Sequence, residues 1–177
     1  LDLTAGKRLG VFGATGSGKS TLAHILMGLL TPSQGTIELN GQDQQQLSAE
    51  AWYRQAAFVA QQTTLFSTTI EENIRMGKPL DSDRLIRAVN FGAFQRDLSR
   101  FPDGLKTVIG ELGVTLSGGQ RQRVSLARAF YHGGHLMILD DMTASLDLNT
   151  EAQLLQSIAQ VASQKMILMI SHRVSVL

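Results

Sequence analysis

The chain has 177 residues, 43% hydrophobic and 18% charged, and sixteen Lys plus Arg against fifteen Asp plus Glu leave a formal charge of +1. That length and composition fit one globular domain with a sizeable core rather than a disordered chain, and the near-zero charge gives no electrostatic footprint for nucleic acid. The absence of cysteine excludes disulfides and thiolate metal sites and fits a reducing compartment, and no apolar stretch approaches the roughly 20 residues of a bilayer-spanning helix.

Leu1 and Leu3 already lie in an apolar alternation, and the chain stops at Leu177 soon after an apolar run, so it reads as part of a longer polypeptide. Arg8–Phe12 predicts a strand, followed by a Gly-rich loop and a helix from about Lys19 to Leu29, with Leu22, Ile25, Leu26 and Leu29 on one face. Thr31-Pro32 stops that helix. Thr36–Leu39 followed by Asn40-Gly41 predicts a hairpin, and Ala56–Ala60 a further strand. From Thr69 to Phe94 the apolar positions (Ile70, Ile74, Leu85, Ile86, Val89) take helical spacing, and Pro102-Asp103-Gly104 is a turn. Ser117 is placed to cap a helix running to about Tyr131, and Gly133-Gly134 breaks it before the strand Leu136–Leu139. A helix over about 149–162 leads into the last strand, Met166–Ile170. Strands alternating with helices argue for an α/β fold with a largely parallel sheet, an antiparallel portion near the start, and a mostly helical insertion at about 66–130.

Two stretches have the chemistry of phosphate cradles. Gly13-Ala14-Thr15-Gly16-Ser17-Gly18-Lys19-Ser20 matches the P-loop pattern between a predicted strand and a predicted helix. Its glycines let backbone N–H groups turn inward, Lys19 suits the β- and γ-phosphates, Ser20 a Mg²⁺ ion, and Thr21 adds a hydrogen bond. The second is Leu116-Ser117-Gly118-Gly119-Gln120. It leaves N–H groups open at a helix start, although such a segment read alone is an ordinary capped helix. One nucleotide has a single triphosphate, so two cradles in one chain imply that a closure or pairing event joins them.

Asp140 and Asp141 follow an apolar strand at its carboxyl end, where ligands bind in open α/β sheets. Alone they would be a polar strand cap; beside a full P-loop, Asp140 is a candidate Mg²⁺ ligand and Asp141 a candidate orienter of attacking water. His172 also ends an apolar strand and is a candidate partner for a γ-phosphate and that water. His24, His132 and His135 read as structural. Gln61, at the end of the strand beginning at Ala56, could ligate Mg²⁺, although Gln62 beside it looks no different. Arg121, Arg123 and Arg128 read as a solvated helix face, and Trp52 and Tyr53 as packing residues.

Together these motifs resemble the ATP-binding cassette family over essentially the whole chain. Leu116–Gln120 reads letter for letter as the family signature, continued by Arg121-Gln122-Arg123; Gly13–Thr21 is similar to Walker A and Leu136–Asp140 to Walker B. Gln61 falls at the Q-loop, Ala144-Ser145-Leu146-Asp147 resembles the D-loop, and His172 matches the switch histidine. Leu65-Phe66-Ser67, Ile70–Ile74 and Val108-Ile109-Gly110-Glu111 resemble exporter cassettes, which implies that Glu111 touches membrane-domain coupling helices.

The resemblance implies a P-loop, RecA-like core with an inserted helical subdomain, and ATP and Mg²⁺ as ligands. It implies a head-to-tail dimer in which Ser117, Gly118, Gly119 and Gln120 meet ATP held by a second cassette. It implies ATP hydrolysis that powers export through transmembrane domains on the same polypeptide, with this cassette at the cytoplasmic face of a plasma or inner membrane. One position departs: the family carries Glu after the Walker B Asp, and here it is Asp141. The carboxylate then sits back by one bond, roughly 1.5 Å, and a misplacement of about 1 Å can cost about a hundredfold in rate. The expectation is slow hydrolysis at this chain's own Walker site and a partner unlike itself. Two alternatives are a nucleotide-dependent clamp that barely hydrolyses and a soluble cassette ATPase unconnected with transport; the near-neutral charge and the exporter-like segments argue against the second.

Overall fold

The apolar runs of the sequence become the strands of a four-stranded sheet in the computed structural model, which describes residues 3–110, 113–144 and 146–173. Strand β1 (Arg8–Phe12), β4 (Ala56–Val59), β5 (Leu136–Asp140) and β6 (Met166–Ser171) are ordered β1-β6-β5-β4. Both β1 and β5 run parallel to β6. Every residue of β5 and β6 is buried, which is why each reads as an unbroken apolar run: a parallel strand covered on both faces has no solvent side to alternate with. β1 lies at the edge and alternates in exposure instead.

A separate two-stranded antiparallel ribbon pairs β2 (Glu38–Leu39) with β3 (Gln42–Asp43). Its turn residues Asn40 and Gly41 have φ of 54° and 77°, the left-handed pair that a two-residue hairpin turn requires. Chain contacts divide the molecule into two units. The first comprises Leu1–Phe58, Gly133–Asp141 and Ala162–Leu177, the second Val59–His132 and Met142–Val161.

In the first unit, α1 (Lys19–Leu26) and α2 (Ala49–Gln55) surround a core of Ala23, Met27, Trp52, Ile138, Leu168 and Ile170. The helix expected to reach Leu29 ends at Leu26. Gln44 Nε2 and Trp52 Nε1 both donate to the Leu26 carbonyl at 3.0 Å, satisfying a helix end that would otherwise continue, and Gly28 turns away at φ 72°. Leu29 and Leu30 are left exposed. Trp52 is a packing residue, as read from sequence, whereas Tyr53 is 45% exposed.

The second unit is helical. α3 (Ile70–Arg75) and α4 (Ser82–Phe91) both pack on α6 (Gly118–His132), around Ile70, Ile74, Leu85, Val89, Phe94, Val124, Ala127 and Tyr131. The helical spacing read across Thr69–Phe94 is therefore two helices. Met76 (φ 48°) and Gly77 (φ 77°) end the first, Thr69 caps its start, and Asp81 caps the second. The Tyr131 hydroxyl secures the turn between them, donating to Pro79 O (2.6 Å) and accepting from Asp81 N (3.0 Å). Short α5 (Gln95–Leu98) follows, and α7 (Leu148–Ala162) precedes β6. Among the described residues no helix is long and apolar enough to cross a membrane.

Candidate functional site

The strand register brings the candidate residues of the first unit to one end of the sheet. Phe12 pairs with Ser171, and Ile170 pairs with Asp140. The chain therefore leaves β1 into the Gly13 loop, β6 into His172, and β5 into Asp141, at the carboxyl ends of three adjacent parallel strands. Such an end is where an open α/β sheet presents ligands, because loops there meet helix N-termini.

The Gly13–Ser20 loop is ordered around its own lysine. Lys19 Nζ donates to Gly13 O and Ala14 O, both at 2.7 Å, and Ser17 N donates to Ala14 O at 3.2 Å. Gly16 and Gly18 have φ of 81° and 89°, and a Cβ at either would meet nothing within 4 Å. The requirement for glycine at both is therefore conformational rather than steric. Gly18 is the N-cap of α1 and supplies no side-chain cap, so no side chain competes with an anion for the first amides of this helix. No acidic residue lies in the first turn. Thr15, Ser17, Ser20 and Thr21 are exposed around this turn, and a polyphosphate fits the donor set.

Asp140 and Asp141 are buried at the end of β5, and Asp141 takes a left-handed backbone at φ 47°. Its N–H donates to Ile170 O at 2.9 Å, which pins the turn to β6. Its Oδ2 stands 3.1 Å from His172 Nδ1, so the acid and the histidine expected to act on the same water are in direct contact. For a divalent cation, Ser20 and Asp140 supply oxygen only. Among the described residues no cluster of three or more His, Cys, Asp or Glu side chains could hold a metal. That donor set fits Mg²⁺, which takes few protein oxygens and completes its shell with water and phosphate.

The second cradle is a helix start in the second unit. Gln120 N donates to Ser117 Oγ (3.2 Å) while Ser117 N donates to Gln120 Oε1 (2.9 Å), a reciprocal capping box. Because Ser117 Oγ accepts from the backbone, its own proton remains available to a further acceptor. Gly118 and Gly119 are the first residues of α6. Gln61, two residues past β4, is exposed, as is Gln62. Asp147 is exposed and caps α7: Thr150 N and Oγ1 donate to its two oxygens at 3.0 and 2.6 Å, and these bonds hold its carboxyl below the usual value. Glu111 lies outside the described residues, as does Ser145.

The arginines of α6 correct the sequence reading. Arg123 is largely buried and its Nε donates to Asp97 Oδ2 at 2.8 Å. Arg128 donates to Asn73 O (2.8 Å), Asn73 Oδ1 (3.1 Å) and Thr64 O (3.1 Å), and burial lowers its pKa. Only Arg121 is exposed, and it still donates to Leu116 O at 2.7 Å. Asp97 and Asn73 were not singled out from sequence. The one available signal was spacing, since Gln120 and Arg123 are three apart on α6 and therefore share a face.

Comparison with known proteins agrees with this geometry. Residues 1–144 match the family model described as ABC transporter. The chain belongs to the ABC transporter family. It is 36% identical over 176 residues to a probable ABC transporter ATP-binding/permease protein of Haemophilus influenzae, covering 99% of this chain and 32% of that one. It is 37% identical over 177 residues to an ATP-dependent lipid A-core flippase of Chromohalobacter salexigens, covering 99% of this chain and 30% of that protein. A solved bacterial Atm1-family ABC exporter with ATP bound superimposes with a TM-score of 0.90 at 33% identity, over 97% of this chain and 30% of that one. The chain thus spans about a third of the length of these ABC relatives. The α/β fold with its parallel sheet, small antiparallel ribbon and helices is the fold this family shares.

Proposed function

We propose that this chain is the ATP-binding and ATP-hydrolysing part of a membrane exporter, and that it closes head-to-tail on a second cassette with ATP between them. The observation that carries the reading is the pair of cradles. A lysine-centred loop opens α1 in one unit, and a capped helix start with an available serine proton opens α6 in the other. In this reading Gly13–Thr21 hold the triphosphate of the chain's own ATP, with Lys19 neutralising phosphate charge. Ser117, Gly118, Gly119 and Gln120 meet the ATP of the partner. Ser20, Asp140 and Gln61 would hold Mg²⁺, which supplies charge neutralisation at the phosphates.

Asp141 and His172 hold and orient the attacking water. With Nδ1–H directed at Asp141, a neutral His172 ring offers Nε2 as a proton acceptor; a protonated ring donates from both nitrogens. ATP would favour the closed state only through contacts that the open state lacks, and loss of the γ-phosphate contacts would release it. Relatives named as ATP-binding/permease protein, lipid A-core flippase and Atm1-family exporter support attached transmembrane domains, a place at the cytoplasmic face of a membrane, and outward transport. Asp147 in the D-loop, and Glu111 against the membrane domains, follow from the same resemblance.

Asp141 also supports a slow own site. Its carboxylate is about one bond short of where a glutamate would reach, and it is engaged with His172. A second cassette of different sequence would then carry the faster site, completed by this chain's Ser117 and Gly119. Asp141→Glu in protein paired only with itself is expected to raise ATPase turnover by about tenfold or more. An unchanged rate with intact ATP binding overturns the slow-site account and favours a clamp that binds nucleotide without turning it over.

A further inference from the structure

We propose that Asp97 is a positioning residue for the signature: its carboxylate fixes the orientation of the Gln120 amide, and through it Ser117, while Arg123 cancels its charge. This rests on the reading above, in which Ser117 meets the partner's ATP.

Asp97 sits on α5 with 6% of its surface exposed, and each of its oxygens is engaged. Oδ1 accepts from Gln120 Nε2 at 3.0 Å and Oδ2 from Arg123 Nε at 2.8 Å. A glutamine amide has a donor end and an acceptor end of nearly equal shape, so a capping glutamine can turn either way round. An ionised carboxylate accepts only. With Asp97 on one side, the NH₂ end of Gln120 faces Asp97, and its carbonyl faces Ser117 N, where it accepts at 2.9 Å. That bond removes Ser117 N from the helix start, so the anion site consists of the Gly118 and Gly119 amides and the serine proton. The line Arg123–Asp97–Gln120–Ser117 therefore runs from a buried ion pair to the group that meets phosphate.

Charge explains the fourth member. A carboxylate two hydrogen bonds from an anion site would repel the ligand, and the macrodipole of α6 that favours an anion would be offset. Arg123, three residues along the same helix, makes the group neutral overall while leaving its acceptor geometry intact. Removing the cation alone should therefore do more harm than removing the pair. A contribution to folding alone has no reason to give that order in an ATP-dependent readout.

The test uses the intact protein with its native partner and reads half-saturating ATP for turnover, kcat, and unfolding midpoint. Asp97→Ala is expected to raise half-saturating ATP about tenfold, the size of one lost hydrogen bond to a charged group, with a smaller effect on nucleotide binding to the chain's own loop. Asp97→Asn, which keeps an acceptor for Gln120, is expected to show about a third of that rise and serves if the alanine variant does not fold. Arg123→Met should exceed Asp97→Asn, Arg123→Lys should recover part of the loss, and the double variant should be milder than Arg123→Met. If Asp97→Asn and Asp97→Ala change only the unfolding midpoint and leave half-saturating ATP within twofold, the proposal is overturned. Ser117→Ala separates the two levels. A rise there without one at Asp97 defeats the positioning role alone, and no rise at Ser117 defeats the signature reading beneath it.

Discussion

Replacing Asn73 by alanine should unlatch the segment after β4 from α6. Asn73 is fully buried on α3, and its side chain makes four hydrogen bonds. Oδ1 accepts from Phe66 N at 2.8 Å and Arg128 Nη2 at 3.1 Å; Nδ2 donates to Phe66 O at 2.9 Å and Thr69 O at 3.1 Å. Three neutral bonds at about 1 kcal/mol each and one to a guanidinium at about 1.5–3 kcal/mol sum to about 5 kcal/mol. Phe66 is exposed, so water can reach part of the freed backbone, and Arg128 keeps its bonds to Asn73 O and Thr64 O. The expected loss is therefore about 3 kcal/mol, at the upper end of single-substitution effects. Urea unfolding of the chain measures it, and amide exchange at Phe66 should quicken because its N–H loses its acceptor. Asn73→Asp keeps the Oδ1 acceptors but turns a carboxylate towards two carbonyls, so its loss should be intermediate. A loss below about 1 kcal/mol for Asn73→Ala, with Phe66 exchange unchanged, would refute the latch.

Lys19→Met should weaken ATP binding about tenfold to a hundredfold, the range of a charge-assisted contact, because the Nζ that spans Gly13 O and Ala14 O is the cation of the loop. Equilibrium binding of a fluorescent ATP analogue measures it. His132 should make stability fall on acidification. Burial first, and then the charge of Lys78, lower its pKa from the ordinary 6.5, while its ring bond to Arg75 O opposes them. The unfolded chain therefore binds the proton more readily, and stability is lost as pH drops below about 6.5 and levels off beneath the folded pKa. The slope of unfolding free energy against pH between 7 and 5 should be shallower in His132→Gln than in the parent chain; equal slopes would contradict this.

What the sequence disclosed and what it hid divide along local and distant causes. β5 and β6 were legible because full burial leaves an unbroken apolar run, and the Gly13–Ser20 loop because phosphate chemistry dictates residue type at fixed spacing. The Asn40-Gly41 turn was legible for the same local reason. The end of α1 was not, because the groups that close it, Gln44 and Trp52, lie 18 and 26 residues further on. The burial of Arg123 and Arg128 was hidden likewise. Three arginines on one helix look like a solvated face until Asp97 and Asn73, 26 and 55 positions away, turn out to meet two of them. The contact between Asp141 and His172 was half visible: both end apolar strands, but only the β5–β6 register sets them side by side.

The central claim, that the signature of this chain completes a nucleotide site on its partner, is tested most directly by amide hydrogen exchange on the intact protein stalled with ATP and compared with ADP. The account predicts that ATP protects both the 14–18 loop and the amides of Gly118 and Gly119, and that ADP protects the loop alone. Protection of the loop by ATP with the Gly118 and Gly119 amides exchanging as fast as in ADP would contradict it.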